Sequence, residues 1–244
     1  MRLDKASFTF IRNFKATHDF FYSLYAMIAP RFENDLNARG KIFMKKSTAE
    51  WLLWLLLNKQ IDIGKYDYIE TLNDYNLNDM QKNDIVLDIG AGAGLYSLLA
   101  GLLAKKVYSI EPLLTKQFYD FTRDAKNITF LPFAFGKNNQ ELLCKYWNMK
   151  KHVLAHDLNY ILNYIESGVT VVKCDCEGCE WAGFLNCVDF KSIRKIELEY
   201  HTNDKNLLHK LIQHLHSHDF SVVYTPKVSC DYKHIGLLEA EKRK

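Results

Sequence analysis

The chain has 244 residues, 48% hydrophobic and 14% aromatic, which suffices for a sizeable buried core and excludes a disordered chain. Its formal charge of +3, with no basic run longer than a pair before Lys242-Arg243-Lys244, neither requires nor excludes nucleic acid. The N-terminus (Met-Arg-Leu-Asp-Lys-Ala-Ser) has no apolar signal core, and the longest apolar run, Trp51 to Leu57, falls well short of the ~20 residues that span a bilayer.

Residues 1–80 read as an N-terminal helical extension. Phe20, Phe21, Leu24, Tyr25 and Ile28 recur with helical spacing, and Pro30 ends that run. Ser47-Thr-Ala-Glu50 is a capping-box pattern ahead of Trp51-Leu-Leu-Trp-Leu-Leu-Leu57. A helix so apolar all round needs a cover: the following domain, a substrate lid or a homodimer face. The polar stretch from Asn73 to Asn83 marks the boundary, which places a second domain at 81–244.

From Asp84 the chain alternates strand and helix, the pattern of a doubly wound α/β sheet. Strands are expected at 85–89, 106–110 and 128–131, then through Trp147, then at 169–174, 193–200, 220–225 and 235–239. Helices are expected at 94–104, after a Thr115 cap with Phe118, Phe121 and Ala125 on one face, from an Asp157 cap to Glu166, to about Asn186, and at 204–217. The six cysteines are not spaced as a disulfide framework, and we expect reduced thiols in a cytoplasmic protein.

The densest chemical signal is Asp88-Ile-Gly-Ala-Gly-Ala-Gly94, between an apolar strand and an apolar helix. Glycines there let the backbone turn sharply, and the helix start offers N–H groups to an anionic ligand end. The spacing is G-x-G-x-G with Leu95 in the sixth place, which departs from the G-x-G-x-x-G of dinucleotide enzymes. Asp88 before the glycines and Glu111 about 20 positions past Gly90 fit S-adenosylmethionine instead, with the Glu111 carboxylate accepting the ribose hydroxyls. The backbone N–H groups of Gly90, Ala91, Gly92 and Gly94 are expected to hold the methionine end. Phe133 and Ala134 are expected to flank the adenine, with Pro112 beside Glu111. Asp175 and Glu177 are candidates for acceptor positioning or base work, because a hydroxyl is a poor nucleophile until its proton leaves. His201 is the second choice.

Five blocks in order resemble the FkbM-type methyltransferases: Asp88 to Gly94 with Tyr96-Ser97, Glu111-Pro112, Ala134-Phe-Gly136, Asp175-Cys-Glu-Gly-Cys-Glu180 and Glu199-Tyr-His201. They cover roughly residues 85 to 201, and the D-x-E-G-x-E block is the most discriminating. Gly92 departs from the asparagine usual there. The resemblance implies a Rossmann-like class I methyltransferase sheet of seven strands, the last antiparallel between the fifth and sixth. It implies S-adenosylmethionine as cofactor and methyl transfer to a hydroxyl oxygen of a small-molecule, sugar or polyketide-type acceptor. The rival readings are an RNA or protein methyltransferase whose N-terminal residues, Phe8, Phe10, Arg12, Phe14 and Lys15 among them, touch the macromolecule, and a binding module without catalysis.

No metal is expected. Cys174, Cys176 and Cys179 imitate a thiolate set but interleave with the acidic block and read as small buried hydrophobes. His209, His214, His216 and His218 read as a helix C-terminus that favours cationic histidine.

Overall fold

The computed structural model describes residues 74–146, 149–165, 168–190, 192–227 and 233–243. The expected helices at 20–28 and 51–57, the Ser47 cap and the aromatic-basic N-terminal residues lie outside the described residues, as do Trp147 and Cys230. The chain divides into two units, Met1–Asn78 and Asp79–Lys244, and the fold described is that of the second.

Its elements are β1 (Ile85–Ile89), α1 (Leu95–Leu103), β2 (Lys106–Ile110), α2 (Lys116–Thr122), β3 (Ile128–Leu131), β4 (Ala134–Phe135), β5 (Gln140–Tyr146), β6 (Met149–His156), α3 (Leu158–Ile165), β7 (Val171–Cys174), α4 (Glu180–Phe184), β8 (Lys195–Thr202), α5 (Lys205–Ser217), β9 (Phe220–Lys227) and β10 (His234–Lys242). Seven strands form one sheet in the order β3-β2-β1-β7-β8-β10-β9. The first five are parallel, and β10 runs antiparallel between β8 and β9, as the resemblance implies. Four residues of β1 and all of β7 are buried, which is why both read as unbroken apolar runs rather than alternating ones.

Local chemistry sets the helix starts. Thr115 accepts the Phe118 N–H at 2.9 Å, Asp157 accepts the Tyr160 N–H at 2.9 Å, and Asp204 accepts the Asn206 N–H at 2.9 Å. Phe118 and Phe121 are buried as expected, but Ala125 falls beyond α2, which stops at Thr122. Leu208, Leu211 and Leu215 form the core face of α5.

At the amino ends of the central strands, the buried Asp84 carboxylate binds Arg194 through Nε at 3.0 Å and Nη2 at 2.5 Å. It also accepts the Thr170 hydroxyl at 2.7 Å. This joins the entries to β1, β7 and β8. Burial alone would raise the Asp84 pKa; the hydrogen bonds from Arg194, Gln81 and Thr170 outweigh it and lower the pKa below its ordinary 3.8.

Two expectations change. A strand at 149–156 was not expected, because the first four residues of Met149-Lys-Lys-His-Val-Leu-Ala-His156 are all exposed and give no period-two signal. It pairs with β5 in a separate three-stranded sheet, order β4-β6-β5. The fifth parallel strand also runs two residues further than expected, to Thr202, so His201 lies within β8.

Candidate active site

Strand register assembles the site. Ile89 of β1 pairs level with Ile110 of β2 on one side and Cys174 of β7 on the other. The next residues, Gly90, Glu111 and Asp175, therefore leave the sheet side by side at its carboxyl edge. The chain order reverses between β1 and β7, the point where open α/β sheets bind ligands. The Asp175 N–H donates to the Ile89 carbonyl at 3.0 Å. A Cβ on Gly90 would lie 1.7 Å from the Asp175 carbonyl oxygen, so only glycine, at φ +70°, lets the two turns touch.

Beneath that turn lies an internal ion pair. Asp88 is fully buried, and its Oδ1 is 3.2 Å from Lys173 Nζ, whose side chain is 5% exposed. Asp88 Oδ2 accepts the Ser97 hydroxyl at 2.5 Å, and Ser97 shares a 2.6 Å hydrogen bond with Ser109. Lys173 Nζ also donates to the Gly90 carbonyl at 3.0 Å. Burial alone would lower the Lys173 pKa; Asp88, with further negative groups, outweighs it and raises it. Asp88, expected at the cofactor, is a buried strut under the glycine turn. Lys173 was missed, although a lysine inside the apolar Val169–Cys174 run had to have a buried partner.

The glycine turn spends its amides internally. Gly90 and Ala91 N–H both donate to the Ile110 carbonyl, at 2.9 and 3.1 Å, Gly92 N–H to Glu111 Oε2 at 3.1 Å, and Gly94 N–H to the Ala91 carbonyl at 2.8 Å. All four amides are thus engaged within the turn and its neighbours. Gly94 is the N-cap of α1 and brings no side-chain cap, so the first-turn amides of that helix become the better anion donors. Gly92 faces open space, with nothing within 4 Å of where its Cβ would stand.

Glu111 is half-buried and accepts the Gly92 and Leu113 N–H groups, each at 3.1 Å. Burial raises its pKa, and those two hydrogen bonds only partly offset the rise. Each carboxylate oxygen keeps acceptor capacity beyond one N–H. Pro112 is half-buried beside it. Phe133 meets His156 edge-on at 4.9 Å and Tyr164 at 5.2 Å, and His156 stacks on Tyr160 at 3.7 Å. Ala134, expected at the adenine, is the first residue of β4 and is buried with Val153 and Ala155 of β6 within the small sheet.

At the far side of the crevice, Asp175, Glu177 and His201 come together, with one ligand-type atom of each within 4.8 Å of the others. His201 is buried. Its Nδ1 is 2.8 Å from Glu180 Oε1, its Nε2 is 3.6 Å from Glu177 Oε2, and its backbone carbonyl accepts the Trp181 indole N–H at 2.8 Å. Burial pushes its pKa down, but the hydrogen bond to Glu180 and the charges of Glu180 and Glu177 carry it up to about 9. Glu180 is fully buried, which makes it the partner of His201 as well as the start of α4. Glu177 has an exposed side chain and a left-handed backbone, φ 55°. Burial, together with the charges of Asp175, Glu199 and Glu180, raises its pKa more than His201 lowers it.

The cysteine expectation is corrected in part. Cys176 and Cys179 form a disulfide that brackets Glu177 and Gly178, which removes the premise of an all-reduced chain and leaves no trio of thiolates for zinc. Cys174 is the buried small hydrophobe expected, and Cys187 is buried as well. Near the C-terminus of α5, His214 bonds the Cys187 carbonyl, and burial lowers its pKa, against the cationic form expected there.

Among the described residues no helix is long and apolar enough to cross a membrane. Residues 74–226, more than half of the chain, match the family described as a methyltransferase domain. No curated protein matches the chain. Among solved structures, it is similar to precorrin-6y C5,15-methyltransferase from Geobacter metallireducens, at 18% identity and TM-score 0.42 over 68% of this chain and 83% of that one. It is similar to an rRNA methylase from Streptococcus thermophilus, at 12% identity and TM-score 0.47 over 68% and 90%. It is also similar to TrmK of M. capricolum in complex with S-adenosylhomocysteine, at 15% identity and TM-score 0.44 over 68% and 65%.

Proposed function

The chain belongs to the methyltransferase-domain family, and on that premise we propose that it is an FkbM-type enzyme methylating a hydroxyl oxygen of a small-molecule, sugar or polyketide-type acceptor. The observation that carries the reading is the level register that sets Gly90, Glu111 and Asp175 side by side where the sheet order reverses. S-adenosylmethionine, when bound, supplies a methyl whose carbon leaves sulfur for the acceptor oxygen, leaving S-adenosylhomocysteine.

The residues present fit that cofactor. Open space over Gly92 leaves bare backbone beside the Glu111 carboxylate, whose remaining acceptor capacity suits the ribose hydroxyls. The uncapped first turn of α1 takes the methionine carboxylate, and Phe133 offers an aromatic edge to the adenine. Asp175 and Glu177 orient the acceptor hydroxyl, and Glu177, its pKa raised, takes the proton. His201, protonated at neutral pH, has no free lone pair for base work. It serves as a positioning residue between Glu177 and Glu180.

Calorimetry with S-adenosylmethionine tests the reading. Glu111→Ala is expected to weaken binding tenfold or more, about 1.4 kcal/mol, and unchanged affinity removes the ribose role. Asp175→Asn is expected to leave that affinity largely intact and to slow transfer to a hydroxyl acceptor.

A further inference from the structure

We propose that Asp175, Glu177 and His201 bind one divalent first-row metal ion at the acceptor side of the crevice, although the sequence reading expected no metal. The donors come from the ends of adjacent parallel strands: Asp175 and Glu177 follow β7, and His201 lies near the end of β8. One ligand-type atom from each lies within 4.8 Å of the other two. His201 Nε2 and Glu177 Oε2 are 3.6 Å apart. That is long for a hydrogen bond, which closes to about 2.7–3.2 Å. It is close to the edge of a coordination tetrahedron, since bonds of about 2.1 Å put ligand atoms about 3.4 Å apart.

The second shell is already built. Glu180 Oε1 holds His201 Nδ1 at 2.8 Å, which fixes the ring and leaves Nε2, whose proton a bound ion displaces into solvent, as the nitrogen turned toward the carboxylates. A carboxylate behind a histidine is the usual support of a metal-bound imidazole. The other Glu180 oxygen, Oε2, is buried and takes no hydrogen bond among the described residues. Three carboxylates therefore stand around one imidazole.

A second acidic group gives the contrast. Asp79, Glu239 and Glu241 also lie close together, but Lys195 Nζ stands 2.8 Å from Asp79 and 3.3 Å from Glu239. That group carries its own cation and has no need of a metal.

One imidazole nitrogen with two carboxylate oxygens suits manganese, iron or zinc better than calcium. Three protein ligands leave coordination positions for an acceptor hydroxyl, whose pKa the cation lowers. The second oxygen of Glu177 then takes the proton. The role in transfer rests on the methyl-transfer reading; the binding of the cation does not.

The test is equilibrium dialysis of the full chain, stripped with chelator and desalted, against manganese(II) and zinc(II), with calorimetry of S-adenosylmethionine on the same samples. The expected result is one saturable ion per chain, with affinity at least tenfold weaker in Glu177→Gln and in Asp175→Asn and unchanged in Glu239→Gln. Glu177 is exposed, so its variant tests the site without threatening the fold. Three results overturn the cation site: no saturable binding of either ion, more than one equivalent class, or an equal loss in Glu239→Gln. If the wild type binds S-adenosylmethionine but neither ion, the cation alone is refuted. If it binds an ion but no S-adenosylmethionine, the methyl-transfer reading fails and the cation site stands.

Discussion

Replacing Lys173 with methionine removes the cation paired with Asp88 under the glycine turn while keeping most of the side-chain volume. The Asp88 carboxylate then stays fully buried with the Ser97 hydroxyl as its hydrogen-bond donor, and the Gly90 carbonyl loses its 3.0 Å donor. At 3.2 Å the pair attracts by about 5 kcal/mol with an effective dielectric of about 20. Removing one partner of such a buried pair costs about 3–5 kcal/mol, because the other charge is left uncompensated. Native-state hydrogen exchange of the β1 and β7 amides reads this sheet rather than the whole chain. Lys173→Met should speed exchange there by a factor of about 10²–10³ at least, at 1.4 kcal/mol per decade. Asp88→Asn combined with Lys173→Met removes both charges and should recover more than half of the loss. If Lys173→Met costs under about 1 kcal/mol, or if the double variant is the less stable of the two, Asp88 and Lys173 are not a buried couple and the strut is wrong.

Four further outcomes follow from the geometry. Gly90→Ala puts a Cβ on the Asp175 carbonyl and an L residue at φ +70°, so it should cost more than the ~1–2 kcal/mol of left-handed backbone alone and abolish S-adenosylmethionine binding; chemical denaturation and calorimetry read both. Gly92→Asn should be tolerated within about 1 kcal/mol, since φ is +51°, the space is open and asparagine accepts this conformation, whereas Gly92→Val should be clearly destabilised in the same melts. Asp84 has a folded pKa below its unfolded value, so its contribution is complete above about pH 4 and is lost as pH falls through the lower folded value; below pH 4 the wild type should lose stability more steeply than Asp84→Asn in acid titration followed by circular dichroism. Opening the Cys176–Cys179 disulfide should cost about 2 kcal/mol, because so short a loop leaves little chain entropy to regain, and melts with and without reductant give that difference directly.

The elements of the sheet were legible because their patterns are local. Buried parallel strands read as apolar runs, Thr115, Asp157 and Asp204 mark helix starts, and an alternating glycine stretch after Asp88 marks the turn. The 149–156 strand was not legible, since its first half is solvent-facing and carries no period. The two-residue extension of β8 was missed because strand ends depend on what covers them, and here every residue to Thr202 is buried. The identities of Glu111, Asp175, Glu177 and His201 as crevice residues came from motif blocks, and the structure brings the last three together.

By itself, the sequence determined the alternation of strands and helices, the glycine turn and the acids that follow two of the parallel strands, Glu111 and Asp175, because each depends on residues a few positions apart. Only the tertiary structure decided what those groups face. Asp88 became an internal counter-ion because Lys173, 85 positions away, lies on the strand hydrogen-bonded beside it. His201 became a buried ring between two carboxylates because β7 and β8 are neighbours. The charge state and partner of a side chain are set by burial and distance, and neither can be counted along a chain.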